Sequence, residues 1–207
     1  MSDKPRTSVR PRVRLREVVT RDGFQMEPRF VPTDFKVTLI EQLARLGFVG
    51  IEVTSLSNPR HIPMLADAEE VLSRIERVPG VRYTVLVPNL KGARRASGLR
   101  IDEFNLVMSV SESHNRGNMR MGREESFAQL RDVVALAADA GIEVNASLST
   151  AFGCPFERQV AESTLFEWVE RFAALGVQSL TVCDTTGVAN PRQVARIARA
   201  LVDSHRH

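Results

Sequence analysis

Cysteine is nearly absent: Cys154 and Cys183 are the only two in 207 residues. Two thiols are too few for a disulfide scaffold and suit a reducing compartment, so a cytoplasmic protein is expected. Each reads as a small buried apolar residue rather than a nucleophile. No stretch approaches the roughly 18 apolar residues of a membrane span, so no membrane partner is expected. The first dozen residues, MSDKPRTSVRPR, lack the apolar run of a secretory leader. Residues 1–12 therefore read as a disordered basic tail, and 13–207 as one domain. Lysine is also scarce, 3 against 25 arginines, and Trp and Tyr occur once each. The arginines are scattered rather than gathered into a stripe with aromatics between them, so the net charge of +3 does not outline a nucleic-acid surface.

What is present is an alternation of two periodicities, short β-branched runs each followed by a stretch with helical spacing. Strands are expected at 13–19, 49–55, 81–87, 101–111, 142–150 and 177–184. Helices are expected at 34–47, 67–77, 91–97, 123–141, 161–176 and 190–204. In the first helix Val37, Leu39, Ile40, Leu43, Ala44 and Leu46 form the apolar side, Thr33 or Asp34 is the N-cap and Gly47 closes it. Asn190 followed by Pro191 is a helix start signal for the last. Six β-then-α units in unbroken order imply parallel strands with helical crossovers.

Two architectures compete, an open doubly wound sheet and part of an eight-unit barrel. The number six favours the first, but no GxGxxG turn follows the first strand. The barrel is favoured because every strand ends in polar residues: Arg21 and Asp22, then Glu52 with Thr54 and Ser55, Pro88 and Asn89, SVSESHNR, SLSTAFGCP and CDTTG. A barrel gathers all those ends on one face, where barrel enzymes place their chemistry.

Each candidate has a plainer alternative. Asp22-Gly23 between apolar stretches is a hairpin signal, and a surface turn competes with a site holding Arg21 and Asp22. Together the two would suit metal-assisted chemistry at a carbonyl, with a hard oxygen ligand beside a guanidinium that stabilises an enolate. Glu52 in the apolar run VGIEVTS is costly unless used or held in a structural ion pair. Asp184 either binds substrate oxygens or caps the following segment. Glu112 and His114 are potential ligands in what reads as an ordinary mobile loop. Lys91, Arg94 and Arg95 could meet phosphate, but a solvated basic helix face accounts for them. Cys154 before Pro155 reads as a shape-determining turn.

The segments RDGFQMEP, GIEVTS, VPNLKG, SVSESHNRGNM, STAFGCPF and CDTTGVANP resemble, in order and approximate spacing, those of 3-hydroxy-3-methylglutaryl-CoA lyases, members of the metal-dependent aldolase-like barrel superfamily. The resemblance runs from about residue 13 onward. It implies an α/β fold, a TIM (β/α)8 barrel of which about six of eight units lie in this chain. It also implies a lyase that cleaves a 3-hydroxyacyl-CoA to acetyl-CoA and a 3-oxo acid, acetoacetate for the family's usual substrate. By the same resemblance Arg21 stabilises the enolate oxygen, Asp22 binds a divalent Mg or Mn ion and Glu52 supports the catalytic cluster. Asp184 lies at the substrate, and Gln25, Ser55 and Thr185 match polar pocket positions. An acyl-CoA partner and a homodimer are expected.

The family pattern continues with a His-X-His metal pair, a glycine-rich loop with a catalytic cysteine and a metal-binding asparagine, none of which precedes His207. His205 and His207 in SHRH follow directly on a helix and read as helix-end residues. The 207-residue chain by itself is therefore expected to be inactive or nearly so. Met26, Leu56 and Arg158 depart from the family's usual residues and bear on the exact substrate. Two alternatives stand beside the lyase: an alkylmalate synthase-like condensing enzyme of the same superfamily, and a non-catalytic incomplete barrel acting in protein interaction.

Overall fold

The computed structural model describes residues 13–204; the basic tail and the readings of His205 and His207 lie outside the described residues. Six strands, β1 Arg16–Glu17, β2 Gly50–Ser55, β3 Arg82–Leu86, β4 Glu103–Ser109, β5 Glu143–Ser149 and β6 Ser179–Val182, form one sheet in the order β1-β2-β3-β4-β5-β6. Every adjacent pair is parallel. Strand order never reverses, so there is no switch point of the doubly wound kind and the sheet is the wall of a barrel.

The helices are α1 Phe24–Met26, α2 Thr33–Ala44, α3 Ala68–Arg74, α4 Leu90–Ala96, α5 Glu112–Met119, α6 Arg123–Asp139, α7 Glu162–Ala174 and α8 Pro191–Ser204. Successive strand residues point to opposite faces, and the two faces differ completely. Ile51, Val53, Tyr83, Val85, Phe104, Leu106, Met108, Val144, Ala146 and Leu148 join one apolar core with Ile40 of α2, Val71 of α3, Ala93 of α4, Val133 of α6, Phe172 of α7 and Ile197 of α8. The alternate positions Arg16, Glu52, Arg82, Thr84, Glu103, Asn105, Asn145, Ser147, Ser179 and Thr181 face one another across the lumen through the hydrogen bonds described below.

Several expectations need correction, and the hairpin alternative is excluded. The first strand is only two residues long because the Glu17 carboxylate accepts hydrogen bonds from Val18 N and Val19 N, both at 2.8 Å, and takes the chain out of the ladder. Asp22-Gly23 is no hairpin: Val19–Gly23 is one wide helical turn in which Arg21 N and Asp22 N donate to Val18 O at 3.0 and 2.8 Å, running into α1. Neither Thr33 nor Asp34 caps α2; Pro32 holds that position, and the Thr33 hydroxyl donates instead to Asp67 Oδ2 at 2.8 Å. Leu46 is 71% exposed, whereas Lys36 is buried, donating to Asp67 Oδ1 and Met64 O at 2.6 Å each. The helix expected at 67–77 is the shorter α3, preceded by a separate turn at Pro63–Leu65.

The loop expected around 111–119 is the helix α5. Ser111 caps it by accepting from His114 N at 3.2 Å, and Arg120 ends it in the left-handed region at φ 60°. Asn115, fully buried, donates to Met121 O and Ser126 Oγ and accepts from Ser109 N. Other signals hold. Asn190 caps α8 by accepting from Gln193 N at 2.9 Å. Gly92 in α4 permits a close approach, since a Cβ there would lie 3.0 Å from Leu56 O.

Candidate active site

The strand tips of a parallel barrel end at one rim, and the turn after β1 is held there by Thr20, whose hydroxyl donates to Glu52 O at 2.8 Å. This brings Arg21 to Glu52, with Nε 3.6 Å from Oε1, and both side chains are largely buried. Glu52 sits where the β2–β3 register shifts, a bulge that re-aims side chains. Burial holds its carboxyl above the ordinary carboxylate range, opposed by the charge of Arg21 and a hydrogen bond from Asn105. Burial likewise lowers Arg21 against the opposing charges of Glu52 and Cys183.

Arg21 Nε and Gln25 Oε1 are buried without a hydrogen-bond partner. Buried polar atoms left without a hydrogen bond are costly, and these two lie close together in the turn and the short helix that follows it, with Trp168 Nε1 a third such atom elsewhere. Asp22 has a side chain 58% exposed and pairs with Arg21. It can offer a hard oxygen to a divalent cation. Among the described residues no group of three or more His, Cys, Asp or Glu side chains could hold a metal ion, so Asp22 fits as one ligand and the described residues do not complete a set.

The other candidates are placed differently. Ser55 is buried and turned to Ser57, donating to its Oγ at 2.7 Å and accepting from its N at 3.1 Å. The Asp184 carboxylate accepts from Val188 N at 3.0 Å and Ala189 N at 3.1 Å, so it caps the turn after β6. Thr185 Oγ1 accepts from Thr150 N at 2.8 Å, joining the tips of β5 and β6. Thr150 is a β-branched residue at φ 58°, in the left-handed region, and its Oγ1 in turn accepts from Ser111 N at 3.3 Å. Backbone strain is thus concentrated at the rim.

Glu112 is engaged by Arg123 and Arg116, and His114 Nδ1 lies 2.7 Å from Ser109 Oγ with its ring pulled below the ordinary histidine value by burial. Arg95 Nε donates to Glu69 at 2.8 Å. Cys154 is the turn residue expected: its N and O pair with Arg158, and its sulfur accepts from Phe156 N and Glu157 N. Cys183 is not a core residue. It lies half-buried beside Ser147, within electrostatic reach of Glu52 and Arg21, and burial raises its thiol. The alternation Ser179, Thr181, Cys183 along one face of β6 was the signal that could have found it. A cavity of about 660 Å³ lies at the opposite, N-terminal end of the strands, where Arg77 pairs with Asp102 and Arg82 with Glu143.

Parallel units wound in one direction, with a polar rim at the strand tips, define a barrel of the enzyme class. The chain belongs to the HMGL-like family, whose family model matches residues 12–206. It is 41% identical over 191 residues to the hydroxymethylglutaryl-CoA lyase YngG of Bacillus subtilis, covering 92% of this chain and 64% of that protein. With the cytoplasmic 3-hydroxy-3-methylglutaryl-CoA lyase of Rattus norvegicus it shares 38% identity over 190 residues, 92% of this chain and 55% of the other. A solved HMG-CoA lyase from Acinetobacter baumannii, in complex with coenzyme A and 3-methylmalate, superposes with a TM-score of 0.88 at 44% identity, covering 91% of this chain and 62% of that one. The chain thus spans less than two thirds of the length of each. Among the described residues no helix is long and apolar enough to cross a membrane.

Proposed function

We propose that the chain is the site-bearing portion of a divalent-metal-dependent carbon-carbon lyase acting on 3-hydroxy-3-methylglutaryl-CoA or a similar 3-hydroxyacyl-CoA. The observation that carries the reading is the buried Arg21–Glu52 ion pair at the rim, its Arg21 Nε making no hydrogen bond, beside the exposed Asp22. Cleavage breaks the bond between the carbinol carbon and the carbon next to the thioester. The carbinol proton leaves, a ketone forms, and the electron pair passes to the thioester as an enolate that is then protonated to acetyl-CoA. Arg21 stabilises the enolate oxygen, and Glu52 fixes the guanidinium for that role. Asp22 is one ligand of a Mg or Mn ion, whose chemistry when bound is to polarise substrate oxygens.

Gln25 supplies an unpartnered acceptor to the substrate, while Ser55, Asp184 and Thr185 shape the rim, Asp184 by holding the turn after β6. An acyl-CoA substrate is supported by the coenzyme A bound to the Acinetobacter relative. A homodimer and a cytoplasmic location complete the reading, the first checked by light scattering and the second by cell fractionation.

The test is acetyl-CoA release from 3-hydroxy-3-methylglutaryl-CoA with Mg or Mn, by the 207-residue chain and by the chain extended with the remaining length of the Bacillus relative. Release by the extended chain that is lost in Arg21→Met and Asp22→Ala is expected. Condensation of acetyl-CoA with a 2-oxo acid in place of cleavage would overturn the lyase in favour of the condensing enzyme.

A further inference from the structure

We infer that Asn105, Asn145 and Ser147, with the hydroxyls of Ser179 and Thr181, form an oriented hydrogen-bond relay across four strands that positions the Glu52 carboxylate toward Arg21. The relay begins at Asn105, whose Nδ2 donates to Glu52 Oε1 at 3.1 Å. An ionised carboxylate only accepts, so Asn105 must turn its Nδ2 to Glu52 and its Oδ1 toward β5. There Oδ1 accepts from Asn145 Nδ2 and from Ser147 Oγ, each at 2.8 Å. With its Nδ2 committed to that contact, Asn145 presents Oδ1 to β6 and accepts from Ser179 Oγ at 2.9 Å and Thr181 Oγ1 at 3.0 Å. Donor polarity thus runs one way, from β6 through β5 and β4 to the carboxylate on β2.

Asn105, Asn145 and Ser147 are all buried, so their polar groups are satisfied chiefly by one another rather than by bulk water. The charged groups around Glu52 are Arg21, Arg16 and Glu103, with the Cys183 thiol also within reach. Burial alone would favour the protonated carboxyl, which has no reason to face a guanidinium; a chain of donors ending on Oε1, the same oxygen that Arg21 Nε approaches at 3.6 Å, opposes this and holds that oxygen toward Arg21. Asn105 is therefore a positioning residue, and Asn145, Ser147, Ser179 and Thr181 act through it. A network that merely fills the lumen would satisfy its own polar atoms, yet substitutions far from Glu52 would leave the carboxylate unchanged.

The inference rests on the reading of Glu52 as part of the site, and its test uses no turnover. In the 207-residue chain the Glu52 carboxyl is titrated by carbon NMR while the Asn105 side-chain amide is followed by nitrogen NMR. Asn105→Leu is expected to raise the proton affinity of Glu52 about tenfold. Ser179→Ala combined with Thr181→Val lies on a half-exposed edge strand, does not touch Glu52, and keeps the test intact if Asn105→Leu fails to fold. That double variant is expected to raise the affinity about two- to threefold and to move the Asn105 amide resonance. A double variant that leaves both signals in place overturns the relay. Loss of the lyase assay with both signals responding would overturn only the proposed reaction.

Discussion

Glu103 and Phe104 are neighbours on β4, and both are fully buried, yet they belong to different materials. Phe104 enters the apolar layer between sheet and helices. Glu103 faces the lumen, where Arg16 Nη2 and Arg82 Nη1 donate to Oε2 at 3.1 and 2.9 Å and Thr84 Oγ1 donates to Oε1 at 3.0 Å. A parallel sheet covered by helices on both faces reads as a continuous hydrophobic run. Here helices cover one face only and the other is the polar inner face of the curled sheet, so the strands alternate. Alternation within parallel strands is therefore the mark of a polar lumen, and it separates the residues that hold the fold from those available for chemistry.

The largest effect should fall on the apolar layer. Phe104→Ala is expected to cost about 3–5 kcal/mol in urea unfolding, because the ring leaves a cavity that packed helices cannot fill. A loss under about 1 kcal/mol would show that the layer is loosely packed and dissolve the contrast. On the rim, Arg21→Met is expected to cost less stability than Phe104→Ala, because Glu52 can protonate once its opposing charge is gone, but to lower kcat of the extended enzyme by about 10²–10³-fold, the range for removing an oxyanion donor.

The two lumen carboxylates sharpen the comparison by pH. Burial alone would push Glu103 up, but hydrogen bonds from Arg16, Arg82 and Thr84 and the charge of Arg16 hold it below the ordinary value. Its contribution is therefore present above the unfolded-state value and lost as pH falls through the folded one. Glu103→Gln should cost about 2–3 kcal/mol near neutrality, less than a fully buried pair because both arginines are about a third exposed. That difference from the wild type should shrink on acidification. Glu52 lies on the other side: its folded value is raised, so its charged form opposes folding and its contribution becomes more favourable as pH falls through the raised value. The gap between wild type and Glu52→Gln should therefore move with the opposite slope. Parallel slopes in unfolding measurements would break the distinction between the two carboxylates.

The sequence disclosed what depends on neighbours in the chain. The run EFNLVMS shows its alternation directly, and Asn190-Pro191 marks the start of α8 because the cap bond to Gln193 N spans three residues. The wall of parallel units follows from such local signals taken in order, whereas Arg21 and Glu52 were drawn into one site by the family resemblance. What stayed hidden depends on partners far along the chain. Lys36 is buried because Asp67, 31 residues on, neutralises it. Asp184 had two readings, and the hydrogen bonds that return Val188 N and Ala189 N to its carboxylate supply the cap. Cys183 looked like filler because a thiol reads as a small apolar residue unless the Ser179, Thr181, Cys183 alternation is weighed with it.

The smallest expected effect concerns α5, whose glycine and asparagines read as loop. Two independent devices hold it, the Ser111 hydroxyl accepting from His114 N and the buried Asn115 side chain bridging Ser109 N, Met121 O and Ser126 Oγ. Ser111→Ala removes only the first and should cost about 1 kcal/mol. Hydrogen exchange should quicken in the first turn of α5, while the amides after Asn115 keep their protection because the bridge is untouched. Asn115→Ala removes the bridge and leaves Ser109 N buried without its acceptor, so it should cost more and quicken exchange through the whole helix. Equal exchange in the two variants would mean that α5 is held by its neighbours on the rim rather than by either device, and that the rim is as rigid as the apolar layer beneath it.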